Sequence, residues 1–180
     1  MPLDMGIRPG RSVAPLMATL GGVALAAQSL LARELMVSFY GTELSMASAL
    51  AFWLLFVSLG ALAGAGLLRR VSDERPLLYG AAVAAALGLH GQFLLARLVR
   101  PLFGVETGEF VPLWTMLGGA ALAAAPVAFA VGLFFPVAAG HEAGRARLRA
   151  AGVSRIYVAE AVGSGAAGAL LAALLAAIMS

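Results

Sequence analysis

The chain has 180 residues, of which 62% are hydrophobic and 12% charged, and its mean hydropathy is +0.95. Soluble globular domains carry about a quarter of their residues charged, so a water-soluble fold is excluded. The net charge is +3, all twelve basic residues are Arg, and the absence of Cys removes disulfides, thiolate metal sites and cysteine nucleophiles together.

Five long uncharged stretches follow one another: Val13 to Ala32, Leu44 to Leu68, Pro76 to Ala96, Phe110 to Gly140 and Ala161 to Ser180. A helix rises 1.5 Å per residue and needs about 20 apolar residues to cross a hydrocarbon core of roughly 30 Å, a length each stretch reaches. None alternates polar and apolar residues, which argues against an outer-membrane barrel. The expected fold is all-α, an integral membrane bundle of about five transmembrane helices in a single domain over 1–180, with helices at about 13–39, 44–68, 76–98, 110–139 and 155–179.

The first stretch begins after Arg8 and Arg11 and contains the A-x-A triplet Ala24, Leu25, Ala26, the outline of a secretory signal. Its apolar run continues to Ala32, longer than a signal core, and it reads as an uncleaved first helix. Gln28, Ser29, Arg33 and Glu34 cluster near its far end, and Glu43 follows across a turn at Gly41. Arg33 with Glu34 reads either as an interfacial anchor pair or as the lining of a vestibule. Trp53 lies inside the second stretch, away from the interface where belt tryptophans sit, and is assigned to packing.

In lipid, small residues mark where helix backbones approach each other. The second stretch carries Gly60, Gly64 and Gly66, and the fifth carries Ala161, Gly163, Ser164, Gly165 and Gly168. These two helices are expected to contact partners through those faces. Residues 163 to 168 also match the dinucleotide fingerprint G-x-G-x-x-G, but that chemistry needs a preceding strand, a free helix start and a later acid. The glycines instead lie within an apolar span, and the match is rejected.

Ionisable groups at membrane depth are costly and each is a functional candidate. His90, with Gln92 two residues on, sits near the middle of the third stretch, where interhelical hydrogen bonding is its expected role. The other histidine, His141, falls in the loop after the fourth stretch, and one intramembrane His argues against a b-type cytochrome within this chain alone. Glu160 lies about one turn into the fifth helix, with Arg69 or Arg70 of the second as expected partners. A proton or substrate contact and snorkelling to lipid head groups are the other readings of Glu160.

The fourth stretch has 31 uncharged residues, a straight helix of about 46 Å. Pro126 and Pro136 remove backbone donors, and the stretch reads as one tilted, kinked span, with a re-entrant break at Pro126 as the alternative. With five crossings, nine arginines fall on one side: Arg8, Arg11, Arg69, Arg70, Arg75, Arg145, Arg147, Arg149 and Arg155. Only Arg33, Arg97 and Arg100 fall opposite. Arginine is held on the cytoplasmic side, which places the amino terminus inside and the carboxyl terminus outside a bacterial cytoplasmic (inner) membrane. The basicity therefore reads as topology, and nucleic acid is excluded as a partner.

Gln28-Ser-Leu-Leu-Ala-Arg33-Glu34-Leu, Phe39-Tyr-Gly41-Thr-Glu43-Leu, Trp53-Leu-Leu and Leu59-Gly60-Ala together resemble the start of the membrane region of bacterial spermidine-synthase-like fusion proteins. Gly132-Leu-Phe-Phe135-Pro136 is similar to that family's G-x-x-F-P helix end, and Tyr157-Val-Ala-Glu160-Ala-Val-Gly163 to its Y-x-x-E/N-x-x-G helix start. The resemblance covers residues 28 to 168. It implies a scaffold like half of a major-facilitator transporter, which the family joins to a soluble aminopropyltransferase-like domain. These 180 residues offer no such domain, so no enzymatic activity and no cofactor is expected. The loop Arg69 to Arg75 sits where facilitator transporters carry a basic loop but lacks that motif's glycine and aspartate arrangement.

Three functions follow. The first is a non-catalytic membrane subunit that anchors or organises a larger complex, with other membrane or membrane-associated subunits and lipids as partners. The second is a half-transporter for a small solute such as a polyamine, built around His90, Gln92 and Glu160. The third is a membrane tether for a separate aminopropyltransferase.

Overall fold

The fold was described from a computed structural model, which covers residues 12–179 with the exception of 107, 145 and 147. Arg8, Arg11, Arg145 and Arg147, which enter the arginine count, lie outside the described residues. Five helices follow in chain order: α1 (Ala14–Ser38), α2 (Glu43–Leu68), α3 (Arg75–Leu102), α4 (Leu113–Ala143) and α5 (Arg149–Met179). All five are long and apolar enough to cross a membrane, and the described residues form an all-α bundle with no strand.

Local chemistry sets the helix boundaries. Pro15 and Pro76 stand in the first turns of α1 and α3, where their missing N–H has no intrahelical partner to lose. Thr42 caps α2 by accepting from the Ser45 N–H at 3.3 Å, and Glu43 places a carboxylate in the first turn, where it complements the helix dipole. Between α1 and α2 the chain reverses through Tyr40 and Gly41, both left-handed at φ 58° and 69°. Gly41 adopts this readily, whereas Tyr40 needs outside support to hold it.

Four boundaries differ from expectation. Pro112 holds an extended ψ of 151°, so α4 starts at Leu113 and not at 110; at its other end it runs on through His141 and Glu142. α3 reaches Leu102, because Pro101 falls in the last turn and breaks only one backbone bond. α5 begins at Arg149, six residues early, which puts Arg149 and Arg155 on the helix and sets Glu160 about three turns from its start. α4 is continuous through Pro126 and Pro136, and no re-entrant break occurs.

α4 forms the centre of the bundle. Of its most apolar stretch 56% is buried, against none of that of α5. α2 and α3 pack on α4, α1 lies against α3 and most extensively against α5, and α5 also touches α4. The interior is built from small side chains: Ala120, Ala123, Ala124, Ala128 and Ala138 are fully buried on α4, with larger plugs at Phe39, Phe134 and Leu31. Long apolar side chains point outward, as at Leu62 on α2, Leu87 on α3 and Leu170 on α5. This is the arrangement of helices whose association depends on close packing and not on escape from water.

Candidate functional site

The expected contact glycines divide by face. A methyl group on Gly60 would collide with the Phe129 carbonyl, and one on Gly64 would come within 2.5 Å of the Leu133 carbonyl, so both hold the α2–α4 seam. Gly132 completes that seam from α4 by lying against the Val57 carbonyl. On α5, Gly163 packs on the Ala18 backbone of α1 and Gly168 faces Leu25, while the Ser164 hydroxyl donates to the Gly21 carbonyl at 3.1 Å. Gly66 and Gly165 have open space around their Cα atoms and take no part in either seam. Ala161 is exposed as well.

The polar residues near the carboxyl-terminal end of α1 are brought together with partners from α3. Glu34 is not paired with its neighbour Arg33, which is exposed. A helix turns adjacent residues about 100° apart, and the Glu34 carboxylate accepts instead from Arg97 Nε at 3.1 Å. The Arg97 guanidinium stacks over the Phe93 ring, 4.2 Å from its centroid. One helical turn on, Arg100 donates to the Ser38 carbonyl at 3.3 Å and to the Glu106 carbonyl, and lies 4.8 Å over the Tyr40 ring. The Tyr40 hydroxyl accepts from the Gly108 N–H at 3.0 Å. Hydrogen bonding from Arg100 holds the Tyr40 phenol below its ordinary value, with the Gly108 N–H acting the same way and desolvation opposing them. These contacts are the support that keeps Tyr40 left-handed.

Gln28 is half-buried and Glu43 exposed, and neither joins this group. Gln92 is 1% exposed and reaches across to α1, where its Nε2 donates to the Ala27 carbonyl at 2.7 Å. Its Oε1 is buried without a hydrogen-bond donor among the described residues. Gln92 and Glu34 line one narrow cleft between α1 and α3, together with Leu30, Leu31, Leu89, Phe93 and Ala96.

His90 does not bond between helices. It is exposed on the outer face of α3, and its ring Nδ1 lies 3.1 Å from the Ala86 carbonyl of its own helix. A carbonyl only accepts, so Nδ1 donates in this contact, and in the neutral ring Nε2 is then an acceptor. Glu160 is half-buried, and no hydrogen bond or ion pair among the described residues reaches it. Its expected pairing with Arg69 or Arg70 fails because α4 stands between α2 and α5, which share no contact. His90, Gln92 and Glu160 therefore do not converge on one midplane site.

The opposite end of the bundle, where α1 starts and α4 ends, holds a carboxylate that its sequence position did not single out. Glu142, 1% exposed, accepts from the Ser12 hydroxyl and from the Val13 N–H, both at 2.7 Å, and Arg155 lies 3.7 Å away. An α4 side chain thereby satisfies the start of α1. His141, placed on α4 and not in a loop, bonds Glu74 at 2.8 Å at the start of α3. The signal available in the sequence was position: Glu142 is one turn beyond Ala138 and Ala139 and so continues the buried face of α4. Beside it, a cleft of about 240 Å³ is lined by Glu142, Ala146, Ala151, Gly152 and Arg155. Among the described residues no three His, Asp or Glu side chains gather where a metal ion would be held. The chain matches no protein-family model, no curated protein and no solved structure.

Proposed function

We propose that this chain is a non-catalytic integral membrane subunit that anchors or organises a larger complex in a bacterial cytoplasmic membrane, with its amino terminus inside and its carboxyl terminus outside. The observation that carries this reading is the exposed imidazole of His90, whose Nδ1 is taken up by its own helix. It lies about half-way along α3, at the depth of hydrocarbon, among the exposed side chains of Val83, Leu87 and Leu94. A polar atom at that depth costs free energy unless a donor meets it, and no donor is available in lipid tails. A helix of another membrane subunit with a hydrogen-bond donor at the same depth satisfies it.

Two further observations agree. Gly165 and Ala161 leave part of α5 open to a closely approaching helix, and the buried Ser45 and Ser48 are spent on bonds within their own helix turns. In this reading the resemblance to the spermidine-synthase-like membrane region is one of scaffold, and a separately encoded aminopropyltransferase is one candidate partner. The half-transporter reading draws on an apolar groove of about 430 Å³ between α3 and α4, beside Pro126 and Phe129. It gains nothing from His90 and Glu160, neither of which lines that groove.

The test is gentle detergent extraction followed by mass spectrometry of co-purifying chains. A stoichiometric partner that is lost on His90→Leu, with helix content unchanged, supports the reading. A lone monomer in mild detergent and in native nanodiscs refutes it.

A further inference from the structure

Gln92 Oε1 is an acceptor buried in the bundle, and nothing among the described residues donates to it. Reversing the amide does not help, since that would aim Oε1 at the Ala27 carbonyl, an oxygen that now accepts from Nε2 at 2.7 Å. The cleft that Oε1 lines has no room for a water molecule. A donor must therefore come from the cleft wall itself. Of the seven residues that form this wall, Leu30, Leu31, Leu89, Phe93 and Ala96 have no polar side-chain atoms. Glu34 is the remaining one, and a carboxyl group becomes a donor when it takes up a proton.

We infer that Glu34 is a proton-binding site with two hydrogen-bonded states. Ionised, it faces outward and accepts from Arg97, as seen at 3.1 Å. Protonated, it turns inward and its hydroxyl donates to Gln92 Oε1, and Arg97 is released. The change is a proton uptake and a side-chain rotation that exchanges one hydrogen-bond partner for another, with no other covalent bond made or broken. Arg97, 60% exposed, is free to move into the aqueous interface when released, whereas the Glu34 side chain is 13% exposed and stays within the cleft.

The other charged and titratable groups at this end of the bundle are Arg33 on α1, Tyr40 in the following turn, Glu43 at the start of α2, Arg100 on α3, and Glu106 and Glu109 before α4. Arg100 is committed to Ser38, Glu106 and Tyr40, and Glu109 to the Glu106 N–H. α4 and α5 bring no ionisable side chain to this end. Arg97 is thus the one cation bonded to the Glu34 carboxylate among the described residues. Release of Arg97 removes one of the polar contacts between the last turns of α1 and α3, where the Arg100–Ser38 and Ser38–Ala96 bonds remain, and frees a guanidinium at the surface of that end.

The experiment is infrared difference spectroscopy of the full chain in lipid nanodiscs, titrated with acid while circular dichroism confirms the helices. The expected result is a protonated-carboxyl band that Glu34→Gln removes and Gln92→Met moves to higher wavenumber. A Glu34 band at the same position in Gln92→Met overturns the inward state, as does the absence of any Glu34 band while the protein remains helical. Arg97→Gln alters only an exposed side chain and does not disturb the core. It is expected to give a stronger band at each pH, and a weaker one overturns the exchange of partners.

Discussion

Glu142 closes the amino-terminal end of α1 by accepting the Val13 N–H at 2.7 Å, a hydrogen bond between residues 129 positions apart in the chain. One of the free amide groups that every helix start exposes is satisfied here by a buried carboxylate on the central helix. Replacing Glu142 by Ala leaves Val13 N–H and the Ser12 hydroxyl without their acceptor, and is expected to cost about 2–4 kcal/mol. Glu142→Gln keeps an acceptor oxygen and should lose less. Unfolding titrations in mixed micelles measure both.

The α2–α4 seam depends on Gly60 and Gly132, each set against a carbonyl of the other helix. Any side chain at either position pushes two backbones apart, so Gly60→Val and Gly132→Val should each destabilise the bundle by about 1–3 kcal/mol. Gly66, six residues from Gly60 and on the same helix, faces open space. Gly66→Ala should instead leave stability unchanged or raise it by ~0.5–1 kcal/mol, through helix propensity. Thermal unfolding of the three variants side by side checks the contrast.

Tyr40 should ionise below the ordinary phenol value, because the Arg100 guanidinium bonds its oxygen. A group whose folded value is depressed adds stability at pH above its unfolded value, and that contribution is lost as pH falls through the folded value. The gain therefore belongs to the alkaline range and is absent at neutral pH. Ultraviolet titration, with Tyr40→Phe subtracted to remove the signals of Tyr79 and Tyr157, should show the Tyr40 transition. Arg100→Gln should move that transition up toward 10.0.

Topology follows from labelling, since the chain has no Cys of its own. Ser72, exposed between α2 and α3, and Phe110, 90% exposed before α4, are suitable positions for single cysteines. In right-side-out vesicles an impermeant maleimide should label Phe110→Cys and spare Ser72→Cys. The reverse pattern overturns the proposed orientation.

Length and hydropathy alone were enough to read the five helices, because a run of some twenty uncharged residues has few other solutions in lipid. The identity of the central helix was not legible. α2, α4 and α5 are apolar on all faces, so no stripe distinguishes an inward side from a lipid-facing one, and only packing reveals that α4 is surrounded. Glycine spacing found Gly60, Gly64, Gly163 and Gly168, yet it also selected Gly66 and Gly165, which differ from them only in the direction they point. The ion pairs were least legible. Glu34 bonds Arg97 and not Arg33, and Glu160 misses Arg69 and Arg70, because pairing across helices is fixed by which helices are neighbours.

The long seam between α1 and α5 has a consequence for biosynthesis. Ala18 on α1 meets Gly163 on α5, and the first of these leaves the ribosome 145 residues before the second. At about 5–20 residues per second, the opening helix waits roughly 7 to 29 s in the bilayer before its principal neighbour is made. During that interval its bare Ala18 carbonyl face is open to insertion chaperones and to membrane proteases, and a nascent chain released early carries the same exposed surface.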